Sequence, residues 1–243
     1  MKLKFDIHTH TVFSHGKGSI EDNVKAALAA GLETLGISDH GPGHVTYGIK
    51  RSAIPEMRAE INRLQPLYPQ IKLLLGVEAN IMNRSGSLDL TSEEAAAFDY
   101  INAGYHYGVF GEAPLFSAGV HLANLLGEVS HRSSKKTKAL NTDLIIKAIH
   151  QNPIRLLTHP GAKAELYLDE VAKACAERGT YMEINNSHSF LSVEGIALTA
   201  KTSVSYVISS DAHVPGRVGH FDKALQNAIK ANLDLSRIVN LEV

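Results

Sequence analysis

Lys4-Phe5-Asp6-Ile7-His8-Thr9-His10-Thr11 is the stretch whose reading decides the fold of this chain. It is a short run of alternating apolar character that ends in two histidines spaced i and i+2. In extended backbone, residues i and i+2 project from the same face. A strand continued through His10 therefore offers both imidazoles from its carboxyl end, a pairing suited to a borderline divalent metal ion. What matters next is whether other strands end in the same way.

They do. Short β-rich runs alternate with helical runs, the pattern of a parallel α/β fold. Strands are predicted over 4–8, 34–38, 71–77, 100–103, 155–158, 181–184 and 204–209. Helices are predicted over 19–30, 53–66, a short segment opened by Thr91, and then 142–151, 168–178, 193–201 and 220–231. Ser19 with Asp22 and Thr91 with Glu94 have capping-box spacing. Pro55 is tolerated in a first helical turn, and Gly31 and Gly179 suit helix stops. From 107 to 141 periodicity is lost, Gly, Pro and Ser recur, and Arg132, Lys135, Lys136 and Lys138 form a basic cluster. This segment is read as a long functional or mobile loop. No linker-like break or tandem repeat interrupts the pattern, so 1–243 is read as a single domain. Seven strand–helix units with right-handed crossovers predict a distorted (β/α)7 barrel. An open doubly wound sheet is the competing topology.

The bulk properties exclude several classes. Hydrophobic residues are 44% and charged residues 20% of the 243, which argues against disorder. A net charge of -1 gives no support for binding extended nucleic acid. The single cysteine, Cys175, excludes an internal disulfide and sits in a helical pattern as a small buried apolar residue. With no secretory h-region and no apolar run of membrane-spanning length, a cytoplasmic protein with no membrane partner is expected. The anomaly is histidine, with thirteen copies, several of them where apolar runs give way to loops.

Six strand ends carry candidate ligands: His8 and His10, His40, Glu78, His106, His159, and Asp211 with His213; His15 adds one from the first loop. In a barrel the carboxyl-end loops share one face. Nine such groups aimed into one mouth are costly unless their lone pairs are satisfied, and metal ions satisfy them. Nine exceed one tetrahedral ion and suit two or three, with Glu78 or solvent bridging.

These pieces resemble the polymerase and histidinol phosphatase (PHP) superfamily of metal-dependent phosphoesterases, in its YcdX-like stand-alone branch. The resemblance rests on Asp6-Ile7-His8-Thr9-His10-Thr11, Ser38-Asp39-His40-Gly41, Gly76-Val77-Glu78-Ala79-Asn80, Ala103-Gly104-Tyr105-His106, Thr158-His159-Pro160-Gly161, Glu183-Ile184-Asn185-Asn186 and Ser209-Ser210-Asp211-Ala212-His213, in family order over the whole chain. It implies a distorted barrel of seven βα units, in agreement with the separate strand count, and three divalent metal ions. His8, His10, Glu78 and Asp211 would hold the first. Glu78 would bridge to a second, completed by His106 and His159. His15, His40 and His213 would hold the third. His15 stands one residue closer to the His-x-His pair than in similar members, and others carry Asp there.

The expected activity is hydrolysis of small phosphomonoesters by a metal-activated hydroxide, since bound Zn²⁺ lowers the pKa of coordinated water from 15.7 to about 7. Imidazole-rich sites suit Zn, Mn or Fe over Mg. Beyond the metal-activated hydroxide, His213, Arg217 and Asn185 are the catalytic candidates; Asn185, Asn186 and His188 follow the sixth strand at the same mouth, Asn185 and His188 either touching substrate or supporting the ligands. Arg217 follows Asp211 and His213 most closely among the basic residues, and Asp39 is a candidate to orient a ligand imidazole. His150 is read as surface; His44, His121, His131 and His220 carry no assignment. A histidinol-phosphate phosphatase, and a 5′-directed exonuclease on short oligonucleotides or a 3′,5′-bisphosphonucleotide phosphatase, are the alternatives within the class. An amidohydrolase would bring a bridging lysine where this chain has His106, and a non-catalytic metal-binding protein would have no need of the full ligand set.

Overall fold

The computed structural model describes residues 1–81, 85–111, 113–130 and 133–242. The strands are β1 (Lys2–Leu3), β2 (Phe5–Asp6), β3 (Thr34–Ile37), β4 (Lys72–Asn80), β5 (Tyr100–Gly104), β6 (Ile154–Leu157), β7 (Tyr181–Asn185), β8 (Tyr206–Ser209) and β9 (Leu241–Glu242). Interleaved with them run α1 (Ile20–Ala29), α2 (Ile54–Leu64), α3 (Ser92–Ala96), α4 (Pro114–Val129), α5 (Lys135–Gln151), α6 (Leu168–Arg178), α7 (Val193–Thr199) and α8 (Asp222–Lys230). Strands β2 to β8 form one seven-stranded parallel sheet in sequential order. Helices flank it, and the sheet curls into a nearly closed barrel, as the alternation of elements predicts.

The seam between β2 and β8 is closed by a few specific bonds rather than by a ladder. At the carboxyl end Thr9 bridges Ala212 in parallel, and the His10 amide donates to the Ala212 carbonyl at 2.8 Å. At the other end Asn240, fully buried, links both edges: its amide group donates to the carbonyls of Phe5 (2.8 Å) and Ile208 (2.7 Å), and its oxygen accepts from the Ile208 amide (3.1 Å). The antiparallel pair β1–β9 holds Asn240 in register.

Most of the core lies between sheet and helices. A separate cluster of Ile7, Leu156 and Val207, with Phe5, Tyr100 and Tyr181 against it, fills the barrel. Tyr100 needs two glycines: a Cβ on Gly36 or Gly76 would collide with its phenol ring. Both capping boxes form as read from the sequence. Pro55 sits in the first turn of α2, and Gly179 ends α6 in the left-handed region at φ 68°. Cys175 is buried, and burial pushes its thiol pKa up.

The 107–141 segment departs from its reading as a loop. It holds α4 and the first turns of α5, whose cap Ser134 accepts from the Thr137 amide. α4 escapes the reading because its outward side is as apolar as a core face and its few polar residues, Ser117, His121 and Asn124, face inward, the reverse of an ordinary surface helix. Arg132 and His131 lie outside the described residues. β4 also runs further than expected, which places Glu78 inside the strand. Among the described residues no helix is long and apolar enough to cross a membrane.

Asn240→Ala strands buried backbone groups on both edges of the seam. The expected loss is about 3 kcal/mol, or roughly 10 °C in Tm for a chain of this length, read by thermal unfolding of the variant beside the parent. An unchanged Tm would mean the seam does not depend on this side chain.

Candidate metal centre

Each strand end delivers its side chains to the same mouth. His8 and His10 follow β2, His40 follows β3, Glu78 stands in β4, His106 follows β5, His159 follows β6, and Asp211 and His213 follow β8. His8, His10, His40, Glu78, His106, His159 and Asp211 are all buried, whereas His213 is half-buried and His15 exposed. Glu78 lies at the centre. Its Oε1 is 2.8 Å from His159 Nε2, 3.3 Å from His8 Nε2 and 3.4 Å from His106 Nε2. Its Oε2 lies 2.8 Å from His40 Nδ1 and 3.8 Å from His10 Nε2. Asp211 Oδ1 faces His10 Nε2 at 3.2 Å and His8 Nε2 at 3.6 Å. Three groups of donor atoms lie mutually within 4.8 Å: His8, His10 and Asp211; His40, Glu78 and His106; and His10, His40 and His213. The His15 ring is 4.2 Å from that of His213 and 4.9 Å from that of His40, so the first loop does bring it to the cluster.

The donor atoms fit metal ions. Both nitrogens of His10 and of His106, His8 Nε2, His40 Nδ1 and Glu78 Oε2 are buried without hydrogen-bond partners. Buried polar atoms are seldom left so. His40 Nδ1 is close to Glu78 Oε2 yet lacks hydrogen-bond geometry, as two ligands of one cation do. Burial, with the charge of neighbouring imidazoles, lowers the pKa of His10 and His40 to about 3 and of His106 to about 4. These rings are thus neutral at physiological pH, the form that binds metal. His8 goes the other way: burial opposes its charge, but Glu183, Glu78 and Asp211 hold its pKa well above the ordinary value. Against burial, the same imidazoles hold Glu78 and Asp211 well below the carboxylate range. The negative charge of the site calls for cations, and without metal the proton on His8 serves that need.

The supporting residues are largely ones the sequence reading did not assign. Glu183, fully buried in β7, accepts from His8 Nδ1 at 2.6 Å. A carboxylate can only accept here, so the proton is on Nδ1 and Nε2 faces Glu78. Glu183 also accepts from the His159 amide at 2.5 Å, from Asn185 Nδ2 at 3.0 Å and from the Ser209 hydroxyl. Asp6 accepts from the amides of His8, Ser210 and Gly219 and ties the two sides of the seam. His159 (φ 30°) and Asp211 (φ 51°) sit in left-handed backbone, a conformation costing about 1–3 kcal/mol in a non-glycine residue. Gly104 leaves room for this: a Cβ there would collide with Thr158 Oγ1 and stand 2.9 Å from His159 Cε1.

Two expectations change, those for Asp39 and Arg217, and Asn185 takes the supporting one of its two expected places. Asp39 does not orient an imidazole; its carboxylate accepts from the Thr11 amide (2.7 Å) and from the hydroxyls of Thr11 (2.6 Å) and Ser14 (2.5 Å), so it shapes the loop that carries His15. Asn185 is committed beneath the site, donating to Glu183 and, at 3.0 Å, to Asp211 Oδ2, while its oxygen accepts from the amides of Ser187 and His188. Arg217 is exposed in a turn of 3-10 helix and does not line the cavity over the cluster. Lys163 does, together with Tyr47, His188 and Phe190, around a volume of about 160 Å³. Lys163 follows the His159-Pro160-Gly161 turn, and only that turn's course brings it to the rim. His44 stacks on Tyr47, and His121 is held by Tyr105 and Val109. Asn186 caps the start of α8, accepting from Lys223 and Ala224. His150 and His220 are exposed.

The PHP domain family matches residues 6–187. A probable phosphatase of Shewanella sp. (strain MR-4) is 31% identical over 240 residues, covering 93% of this chain and 82% of the relative. A probable phosphatase of Thermoanaerobacter sp. (strain X514) is 31% identical over 258 residues, covering 100% of this chain and 92% of the relative. Among solved structures, histidinol phosphate phosphatase of Lactococcus lactis subsp. lactis Il1403, complexed with zinc, L-histidinol and phosphate, superposes with a TM-score of 0.64 at 18% identity. That match covers 95% of this chain and 94% of the other and is a likeness of fold.

Two outcomes follow from the electrostatics. Glu183→Gln removes the charge that holds His8 in its tautomer, and metal affinity should fall about 10- to 100-fold in competition with a chromogenic chelator; unchanged affinity would deny Glu183 that role. In chelator, stability should fall as pH drops from about 6.5 toward 4. There His10, His40 and His106 take up protons only when unfolded, so the unfolded state binds more. His8 and His159, whose pKa values are raised, carry a proton in both states below about 6.5 and so add no slope in this window; their stabilisation is lost only as pH rises above it. Thermal melts of metal-free protein at graded pH read the sign.

Proposed function

The chain belongs to the PHP-domain family and is a metal-dependent phosphoesterase, and we propose that it hydrolyses small phosphomonoesters at a site for three divalent cations. His8, His10, Glu78 and Asp211 would hold one, Glu78, His106 and His159 a second, and His15, His40 and His213 a third. The proximity of His40 Nδ1 to Glu78 Oε2 makes His40 the link between the second and third sets. The prevalence of imidazole favours Zn, Mn or Fe. Such ions, when bound, supply Lewis-acid stabilisation of phosphoryl oxygens and a water of lowered pKa.

The observation that carries this reading is the set of partnerless buried donors, His8 Nε2, His10 Nε2, His106 Nε2 and Glu78 Oε2, beneath a cavity of about 160 Å³ with one ammonium on its rim. The volume suits a phosphoryl group. Lys163 would meet its negative charge as a compact point charge. An adjoining cavity of about 290 Å³ shares Lys163 and Phe190 with the first and gives the alcohol part of the ester a place to lie. His188, with Nε2 3.6 Å from Asp211 Oδ2, stands where it would contact the departing oxygen. Glu183 and Asn185 act through His8 and Asp211, holding each in one orientation.

Protein supplied with Mn²⁺ or Zn²⁺ should release phosphate from p-nitrophenyl phosphate and carry about three metal equivalents by elemental analysis. Chelation should abolish the activity. His10→Ala and Asp211→Ala should each lower kcat by more than the roughly 10- to 100-fold that loss of a ligand's hydrogen-bond partner costs. Activity indifferent to chelator and to both substitutions would defeat the proposal. A panel of histidinol phosphate, a 3′,5′-bisphosphonucleotide and short oligonucleotides ranks the substrates.

A further inference from the structure

Helix α4 is built inside out. Its polar side chains face the body of the protein: Ser117 donates to the Phe110 carbonyl, His121 bonds Tyr105 and Val109, and Asn124 pairs with Asn141. Apart from buried Val120, its large aliphatic side chains face solvent, with Leu115 90% exposed, Val129 72%, Leu126 60%, Leu122 57% and Leu125 48%. A helix apolar on its outer side is ordinarily covered.

The spacing of the outer stripe says by what. Leu115, Leu122 and Val129 recur every seven residues along one line of the helix, flanked by Ala118 and Gly119 and by Leu125 and Leu126, a continuous stripe of the kind that packs against another helix. The stripe is about 21 Å long at 1.5 Å per residue. We infer that the outward face of α4 is a two-fold contact between two copies of this chain, the helices antiparallel and Leu122 meeting Leu122 on the axis.

Shape and charge select this occupant. Centred on Leu122, an antiparallel copy sets Leu115 against Val129, Gly119 against Leu125 and Ala118 against Leu126. Each small residue is answered by a large one, which lets the two faces interdigitate about the two-fold axis. A parallel pair would set Ala118 and Gly119 beside their own copies, with no large side chain to answer either. No charge lies in the stripe. The one acid on the helix, Glu128, accepts from the Tyr107 hydroxyl at its flank. α4 has no Lys or Arg, which a helix lying on a lipid surface normally carries. The surface continues onto α5 through a groove lined by Phe116, Ala123 and Leu140, with Lys136 and Thr137 on its α5 side.

Sedimentation of the full chain at about 1 to 100 μM, a range set by a modest interface, should show dimers of the 26.3 kDa protomer. Leu122→Glu should give monomer throughout with unchanged phosphatase activity. Leu115→Cys protein mixed with Val129→Cys protein should form a disulfide-linked dimer on mild oxidation, while Leu115→Cys alone should not; buried Cys175 does not compete. Monomer at the highest concentration, or dimer persisting in Leu122→Glu, overturns the inference. So does self-linking of Leu115→Cys, which would make the pair parallel. Monomer that co-sediments with phosphatidylcholine–phosphatidylglycerol vesicles would assign the face to lipid and overturn it too.

Discussion

Glu78 has no exposed surface, yet imidazole nitrogens of His8, His40, His106 and His159 stand 2.8–3.4 Å from its oxygens. A carboxylate taken out of water costs several kcal/mol unless positive charge comes with it. Protons on His8 and His159 can supply some, but the same rings are better placed to share cations. The rings come from four different strand ends, so the compensation exists only if the barrel closes. Fold and chemistry here are one constraint.

Closure is correspondingly well supported at the floor of the site. Glu183 joins His8, His159, Asn185 and Ser209, and Asp6 joins the first strand to the segment after the last. These contacts hold His159 and Asp211 in left-handed backbone, which would relax elsewhere. Preorganised ligands of this kind lose little freedom on binding metal. The rim is looser in character: Lys163, His188 and Phe190 are partly exposed, and no comparable web of buried bonds fixes them. Positions that bind metal are thereby separated from positions that meet the variable part of a substrate.

α4 obeys the same polar bookkeeping with the opposite result. Its Ser117, His121 and Asn124 find partners inward, which leaves the leucines outward. The helix flanks the secondary cavity through Asn124, Gly127 and Glu128, so whatever covers its outer face also firms one wall beside the metal cluster.

Much of this was legible in the residues because a parallel barrel makes local signals sufficient. Each strand announces itself by composition, each cap by spacing, and every carboxyl end points to one mouth, so His8, Glu78, His159 and Asp211 could be grouped without knowing any distance. The segment 107–141 was opaque, since a helix with leucines on its free face and its polar residues turned inward reverses the pattern of an ordinary surface helix. Glu183 and Asp6 stand inside the motifs of the resemblance, but nothing local says what they bond, and Arg217 looks nearer to the site than Lys163. The sequence by itself determined the alternation of elements and the chemical nature of the ligands, because those depend on short-range backbone and side-chain preference. Only the tertiary structure decided which carboxylate orients which imidazole, which cation reaches the rim and how Asn240 shuts the seam, because those depend on the distance between residues far apart in the chain, which no local pattern encodes.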